Sequence, residues 1–182
     1  MFTLKYRHAV VWFHVVCLCL LPLLSHAQQR LGLGQHLFED VLAGWDIDIE
    51  SNGKGLPVGQ GNVAQGAVLF AEKCQACHGE KGVGGPANKL AGGVGSLNSS
   101  APLKSIGSFW PYATTLFDYI RRAMPLNAPQ SLNSDQIYAL SAYLLFLNSI
   151  IDESQTMNST SLPKVKMPNA QGFKPVIDSL PK

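Results

Sequence analysis

Cys74-Gln75-Ala76-Cys77-His78 carries the most specific chemistry in the chain. Two thiols three residues apart on one helical turn can each add to a vinyl group of a single haem. The residue that follows then aims an imidazole at the iron, and this is the spacing of c-type haem attachment. Other uses of a cysteine pair fit less well. In an oxidising compartment the default is a structural disulfide, but here the second Cys is followed directly by the His of the haem motif. A thioredoxin-like redox pair belongs beside a βαβ unit, and no such pattern is visible nearby. A zinc site takes four ligands, usually from two such pairs, whereas residues 28–182 offer only Cys74, Cys77, His36 and His78. One covalent haem c is therefore the expected cofactor. Iron held by one His is open on its other side, and a Met there raises the potential and suits electron transfer. With His36 placed in an N-terminal extension, Met124, Met157 and Met167 are the candidates.

The cysteine count above excludes Cys17 and Cys19 for a reason. Met1–Ala27 carries Lys5 and Arg7 and no acidic residue, runs apolar from Ala9 to Leu24, and ends Ser25-His26-Ala27. A basic start, an apolar stretch and small residues at the last and third-last positions predict a secretory signal peptide cleaved after Ala27. The rival, an uncleaved anchor, needs about 20 apolar residues; this run is shorter and is interrupted by His14 and Pro22. Cys17 and Cys19 then serve as apolar filler. The expected location is the periplasm, with no membrane span once the signal is removed. Losing Lys5 and Arg7 from 14 basic residues leaves 12, equal to the 12 acidic ones, so the remaining chain is formally neutral. The whole chain has 182 residues, 46% hydrophobic and 14% charged. That length predicts one domain plus extensions. No heptad run, collagen-like period or long basic stretch is present, which excludes coiled coil, fibre and nucleic-acid binder.

The elements that must position the motif can be read around it. Asn62 starts a helix, with Gln65 three residues on closing a capping box. Val63, Ala67, Phe70 and Cys74 then recur at helical spacing and form one face. After the motif come seven glycines between Gly79 and Gly95, too many for a regular element. A second helix is predicted from about Tyr112 to Ala123. A third begins after Asn133, with Gln136 closing its box and Leu132 and Ile137 forming a hydrophobic staple. Residues 137–151 contain no charge, and a helix apolar around most of its girth is covered on more than one side. The expected cover is Trp45, Ile47 and Ile49 from residues 28–62, with Leu162, Val165, Met167 and Phe173 from the tail. The alternative is a docking face for a partner protein. Trp110, Arg121 and Arg122 are each either a bond to a haem propionate or an ordinary core aromatic and solvated arginines. Adjacent arginines diverge on a helix, so at most one turns inward.

Taken together, these stretches resemble the class I c-type cytochromes, which implies an all-α fold with a haem domain at 62–151, an extension at 28–61 and a tail at 152–182. The resemblance implies that the Pro86 carbonyl accepts the His78 N–H, that Leu90 lies on the haem face, and that Tyr143 packs opposite Gly66 and Phe70. It also implies Met124 as the distal ligand, because helix, Met-Pro loop and capped last helix is the family's order, while Met167 lies beyond that helix. Gly44–Ile49, Gly53–Pro57, Phe109–Tyr119, Arg121–Pro125 and Leu162–Asn169 carry a narrower likeness. They resemble the cytochrome of the bacterial Sox sulfur dehydrogenase and the haem subunit of sulfite dehydrogenase. The single CxxCH excludes a complete two-haem subunit. What the resemblance implies is an electron carrier, not catalytic alone, reduced by a sulfur-compound dehydrogenase and oxidised by another cytochrome or an oxidase. Three alternatives stand beside it: an open-site haem enzyme or gas sensor, a general shuttle unrelated to sulfur, and a permanent subunit of a molybdenum sulfite dehydrogenase.

Overall fold

Three local hydrogen-bond boxes set where the helices begin. In the computed structural model, which describes Gly34 and residues 36–176, the Gln65 N–H donates to Asn62 Oδ1 at 2.9 Å and the Asn62 N–H donates to Gln65 Oε1 at 3.0 Å. The same reciprocal pair joins Asn133 and Gln136 at 2.9 and 3.0 Å, and Ser105 and Ser108 at the head of a shorter helix. Each box satisfies two N–H groups that a helix start leaves orphaned. The signal segment 1–27, with Cys17 and Cys19, lies outside the described residues.

The chain divides into two compact units, Met1–Asp46 and Ile47–Lys182. The first contains α1 (Glu39–Trp45), none of whose residues is buried. The second runs β1 (Gln60–Asn62), α2 (Val63–Lys73), α3 (Gln75–His78), α4 (Ile106–Phe109), α5 (Ala113–Ala123), α6 (Ser134–Leu147) and β2 (Thr156–Asn158). This is the all-α class expected. The glycine-rich stretch forms only short 3-10 turns at Glu80–Gly82 and Ser96–Asn98. Among the described residues no helix is long and apolar enough to cross a membrane.

The core forms around α6, of which Ile137 to Ala142, Leu144 and Leu145 are all buried. On one side α2 crosses it at Gly66, where an added Cβ would lie 2.7 Å from Tyr143 Cβ and press on the Ala139 carbonyl. The Phe70 and Tyr143 rings meet there at 5.3 Å, the crossing expected from the sequence. Beside that crossing lies the ladder of β1 and β2, paired antiparallel with Gly61 opposite Met157. Gly61 has no Cβ because Ala139 occupies that space. Met157, Leu162 and Met167 are buried to 2%, 0% and 4% exposure, so the tail packs into the core as the uncharged helix required. The buried Ser141 hydroxyl is satisfied by donation to the Ile137 carbonyl at 2.8 Å.

Two of the covering residues expected from the sequence do otherwise. Trp45 belongs to the first unit and is 80% exposed. Phe173 stacks edge-on against Phe109 at 5.1 Å and stays half exposed. The tail is held there by Asn169, whose Nδ2 donates to the Phe109 carbonyl at 2.7 Å. Ile49 and Val165 do pack against the core.

Tyr138 ties the segment before β1 to α6. Its hydroxyl donates to the Pro57 carbonyl at 2.9 Å, and its ring lies 4.5 Å from that of Phe117. Burial pushes its pKa up to about 12. Tyr138→Phe is expected to cost about 1 kcal/mol, read as a lower urea midpoint at unchanged slope. The folded phenol holds its proton to about pH 12, whereas an unfolded one releases it near 10. Parent stability therefore falls as pH rises from 10 towards 12, and the Tyr138→Phe variant loses less over that window.

The candidate haem site

Cys74 ends α2 and begins α3, so both thiols and the imidazole belong to one tight turn. The His78 N–H donates to the Cys74 carbonyl at 2.9 Å and the Gly79 N–H to the Gln75 carbonyl at 2.8 Å. Cys74 is half-buried, Cys77 is exposed, and both are free thiols. Burial, with a smaller contribution from Cys77 and against the pull of Lys73, pushes the Cys74 thiol up to about 11. Among the described residues no three His, Cys, Asp or Glu side chains gather as a metal-ion ligand set, which disfavours zinc.

His78 Nδ1 lies 2.9 Å from a backbone carbonyl oxygen. A carbonyl only accepts, so Nδ1 carries the proton and Nε2 keeps its lone pair for a metal. That carbonyl belongs to Asn88, not to Pro86 as the resemblance implied. The backbone threading explains the change. Gly85 lies directly against the Cys77 carbonyl, where a Cβ would not fit, and the Ala87 N–H donates to that same oxygen at 2.8 Å. Pro86 is thus spent passing beneath the turn, and the chain reaches the ring two residues later. Gly79, at φ +80°, makes the reversal possible, because any Cβ there would strike the Val83 carbonyl.

The following loop is tied to the end of α6. The Leu90 N–H donates to the Gly82 carbonyl at 2.8 Å. Asn148, only 7% exposed, donates from Nδ2 to the Leu90 carbonyl at 3.1 Å and to Leu144 at 2.8 Å, and accepts at Oδ1 from the Gly92 N–H at 3.1 Å. Ser105 Oγ donates to the Gly92 carbonyl at 2.5 Å. Neither Asn88 nor Asn148 was singled out in the sequence. The one available signal was an Asn at the end of an otherwise apolar helix.

Cys74, Leu90, Trp110 and Met124 are all half-buried and pack against the margin of the same core. Met124 caps the C-terminus of α5, its N–H on the Ile120 carbonyl at 3.1 Å, and precedes a cis bond to Pro125. Met157 and Met167 lie inside the core at 2% and 4% exposure, in a ladder strand and in the tail, and are consumed by packing. Two unlinked thiols, a lone-pair-bearing imidazole and one half-buried thioether are a donor set that fits haem c. Trp110 stacks edge-on with Tyr119 at 5.5 Å. The two arginines are occupied: Arg121 donates to the Ile47 carbonyl at 3.3 Å, while Arg122 reaches Asp118 at 2.9 Å and Asp48 at 2.7 Å. Ile47 and Asp48 are the long-range partners of the two arginines.

Comparison with known proteins follows this geometry. The cytochrome c family model matches residues 63–148. A chain in the crystal structure of the sulfane dehydrogenase SoxCD from Paracoccus pantotrophus matches at 39% identity with a TM-score of 0.75, over 80% of this chain and 72% of that one. No curated protein sequence matches.

Proposed function

Because this chain belongs to the cytochrome c family, whose members carry covalent haem c, we propose that it is a periplasmic mono-haem carrier that takes electrons from a sulfur-compound dehydrogenase and delivers them to the respiratory chain. In this reading 1–27 is the signal, 62–151 the haem domain, and 28–61 and 152–182 are its flanks.

Cys74 and Cys77 supply the thiols for two thioether bonds, and His78 supplies Nε2 while Asn88 holds its Nδ1 proton. Met124 would supply a thioether ligand to the same iron. The bound haem provides reversible one-electron chemistry. With His78 and Met124 both given to the iron, substrate would find no place on it, so electrons would enter from a partner and the chain would not be catalytic alone. Trp110 and Leu90, at the core margin with Cys74 and Met124, shield the site from water. Nothing else in the site offers a nucleophile or an acid–base pair.

One observation supports the sulfur assignment. The family model spans only residues 63–148, short of half the chain, whereas the match to the sulfane dehydrogenase structure takes in 80% of it. The likeness therefore extends into the flanks, and these are what a generic cytochrome does not share. Another cytochrome or an oxidase is the proposed acceptor.

The test is a pull-down of tagged protein from its native periplasm, with spectra before and after sulfite or thiosulfate. Co-elution of a second polypeptide and haem reduction by one of the two salts is the expected result. A lone six-coordinate cytochrome that neither salt reduces would sink the sulfur assignment and leave a general shuttle. An open iron that binds cyanide freely would sink the Met124 assignment.

A further inference from the structure

Asn148 has a side chain whose three hydrogen bonds do two different jobs. The one to the Leu144 carbonyl at 2.8 Å stays within its own helix. The other two, to the Leu90 carbonyl and from the Gly92 N–H, both at 3.1 Å, leave the helix and grip a loop. That loop begins at Asn88, whose carbonyl accepts the His78 Nδ1 proton.

The grip fixes more than two atoms. At Leu90 the N–H is held by Gly82 and the carbonyl by Asn148, which the Ile106 N–H also reaches at 3.3 Å. At Gly92 the N–H is held by Asn148 and the carbonyl by Ser105. Between these anchors and the Asn88 carbonyl lies only Lys89 with its two flanking peptides. Beyond them, Gly92 and Gly93 sit at φ +89° and +76°, where glycine ranges freely unless something restrains it. Asn148 is the side chain that supplies the restraint at both anchors.

We propose that Asn148 is a positioning residue for the axial imidazole: by clamping Leu90 and Gly92 it keeps the Asn88 carbonyl on the His78 Nδ1 proton, and so fixes the ring's orientation and raises its basicity. The proposal rests on the reading of His78 as the proximal ligand. It differs from a plain helix-capping role, which the bond to Leu144 alone would fulfil.

Asn148→Ser separates the two roles. A serine hydroxyl reaches the carbonyl four residues back in a helix, so the Leu144 bond is kept, while both loop bonds are lost. The experiment follows exchange of the His78 Nδ1 proton by NMR in the reduced, 15N-labelled holoprotein, together with the midpoint potential. In Asn148→Ser the proton is expected to exchange roughly tenfold faster, the factor matching one ordinary hydrogen bond. The potential should rise, since a less basic imidazole stabilises ferric iron less. Asn148→Asp keeps the acceptor for Gly92 and should exchange at an intermediate rate, giving a second reading if the serine variant does not fold. Tyr138→Phe, destabilised at a distance, should leave exchange and potential at the parent values. Parental exchange in Asn148→Ser with an iron-bound His78 overturns the role of Asn148 alone, as would equal changes in Tyr138→Phe. A parent in which His78 is not iron-bound overturns the reading beneath it.

Discussion

Gly66→Val should be strongly destabilised. The added branch at position 66 would meet the Ala139 carbonyl and stand 2.7 Å from Tyr143 Cβ, and neither can yield alone. Ala139 and Tyr143 are part of α6, and Ala139 is also packed against Gly61, whose ladder partner Met157 is buried in the same core. Overpacking in a dense core costs about 1–3 kcal/mol when side chains can rearrange. Here backbone blocks the way, so the cost is expected at the upper end or beyond, at least about 3 kcal/mol. Set against a net stability of roughly 5–15 kcal/mol, that is enough to lower the yield of holoprotein. Val68→Ala is the control on the same helix: Val68 is 60% exposed, and its loss should stay within about 0.5 kcal/mol. Denaturant unfolding of the three proteins side by side decides the matter. A Gly66→Val midpoint near that of the parent would refute the close crossing.

Met124→Ala should change the redox site far more than the fold. On the proposed ligation, removing the thioether takes away the ligand that raises the potential. Axial ligands set potentials over about 0.8 V, and a fall on the order of 0.1–0.2 V is expected here within that range. The weak charge-transfer band of the oxidised protein at the red end should vanish with it. Met167→Ala should do the reverse. Met167 is only 4% exposed and its truncation opens a cavity costing about 2–5 kcal/mol, with band and potential retained. Absorption spectra, potentiometry and unfolding curves on both variants give a crossed comparison. If Met167→Ala abolishes the band and Met124→Ala keeps it, the ligand assignment is reversed.

What the sequence made legible was local. The capping boxes at Asn62 and Asn133 close within three residues, so residue types alone announce them. The Cys74-to-His78 turn is equally compact. The uncharged run from Ile137 to Ile151 reported that α6 is covered on several sides, because a solvent-facing helix cannot omit polar residues.

What escaped was anything decided by a distant partner. The choice between the Pro86 and Asn88 carbonyls depends on how glycines with positive φ turn the chain beneath Cys77, and no residue pattern encodes that path. Arg121 and Arg122 looked free because Ile47 and Asp48, which engage them, lie far away in sequence. Trp45 looked like a core aromatic by type but ends a helix with no buried residue. Asn148 sits at a helix end, and its second role appears only when the loop from Leu90 to Gly92 is laid against it.

The pairing of Gly61 with Met157 also imposes an order of events during synthesis. Residues 74–78 leave the ribosome well before residue 157 exists, and until then α6 lacks one wall and β1 lacks its mate. The two thiols and the imidazole therefore emerge on a chain that has not yet closed. A contact of such long sequence separation forms late, because the intervening loop must be closed before the pairing repays it. On the proposed export route the chain crosses the membrane in the same order, so Cys74 and Cys77 stay reachable until the pairing at Met157 closes around them.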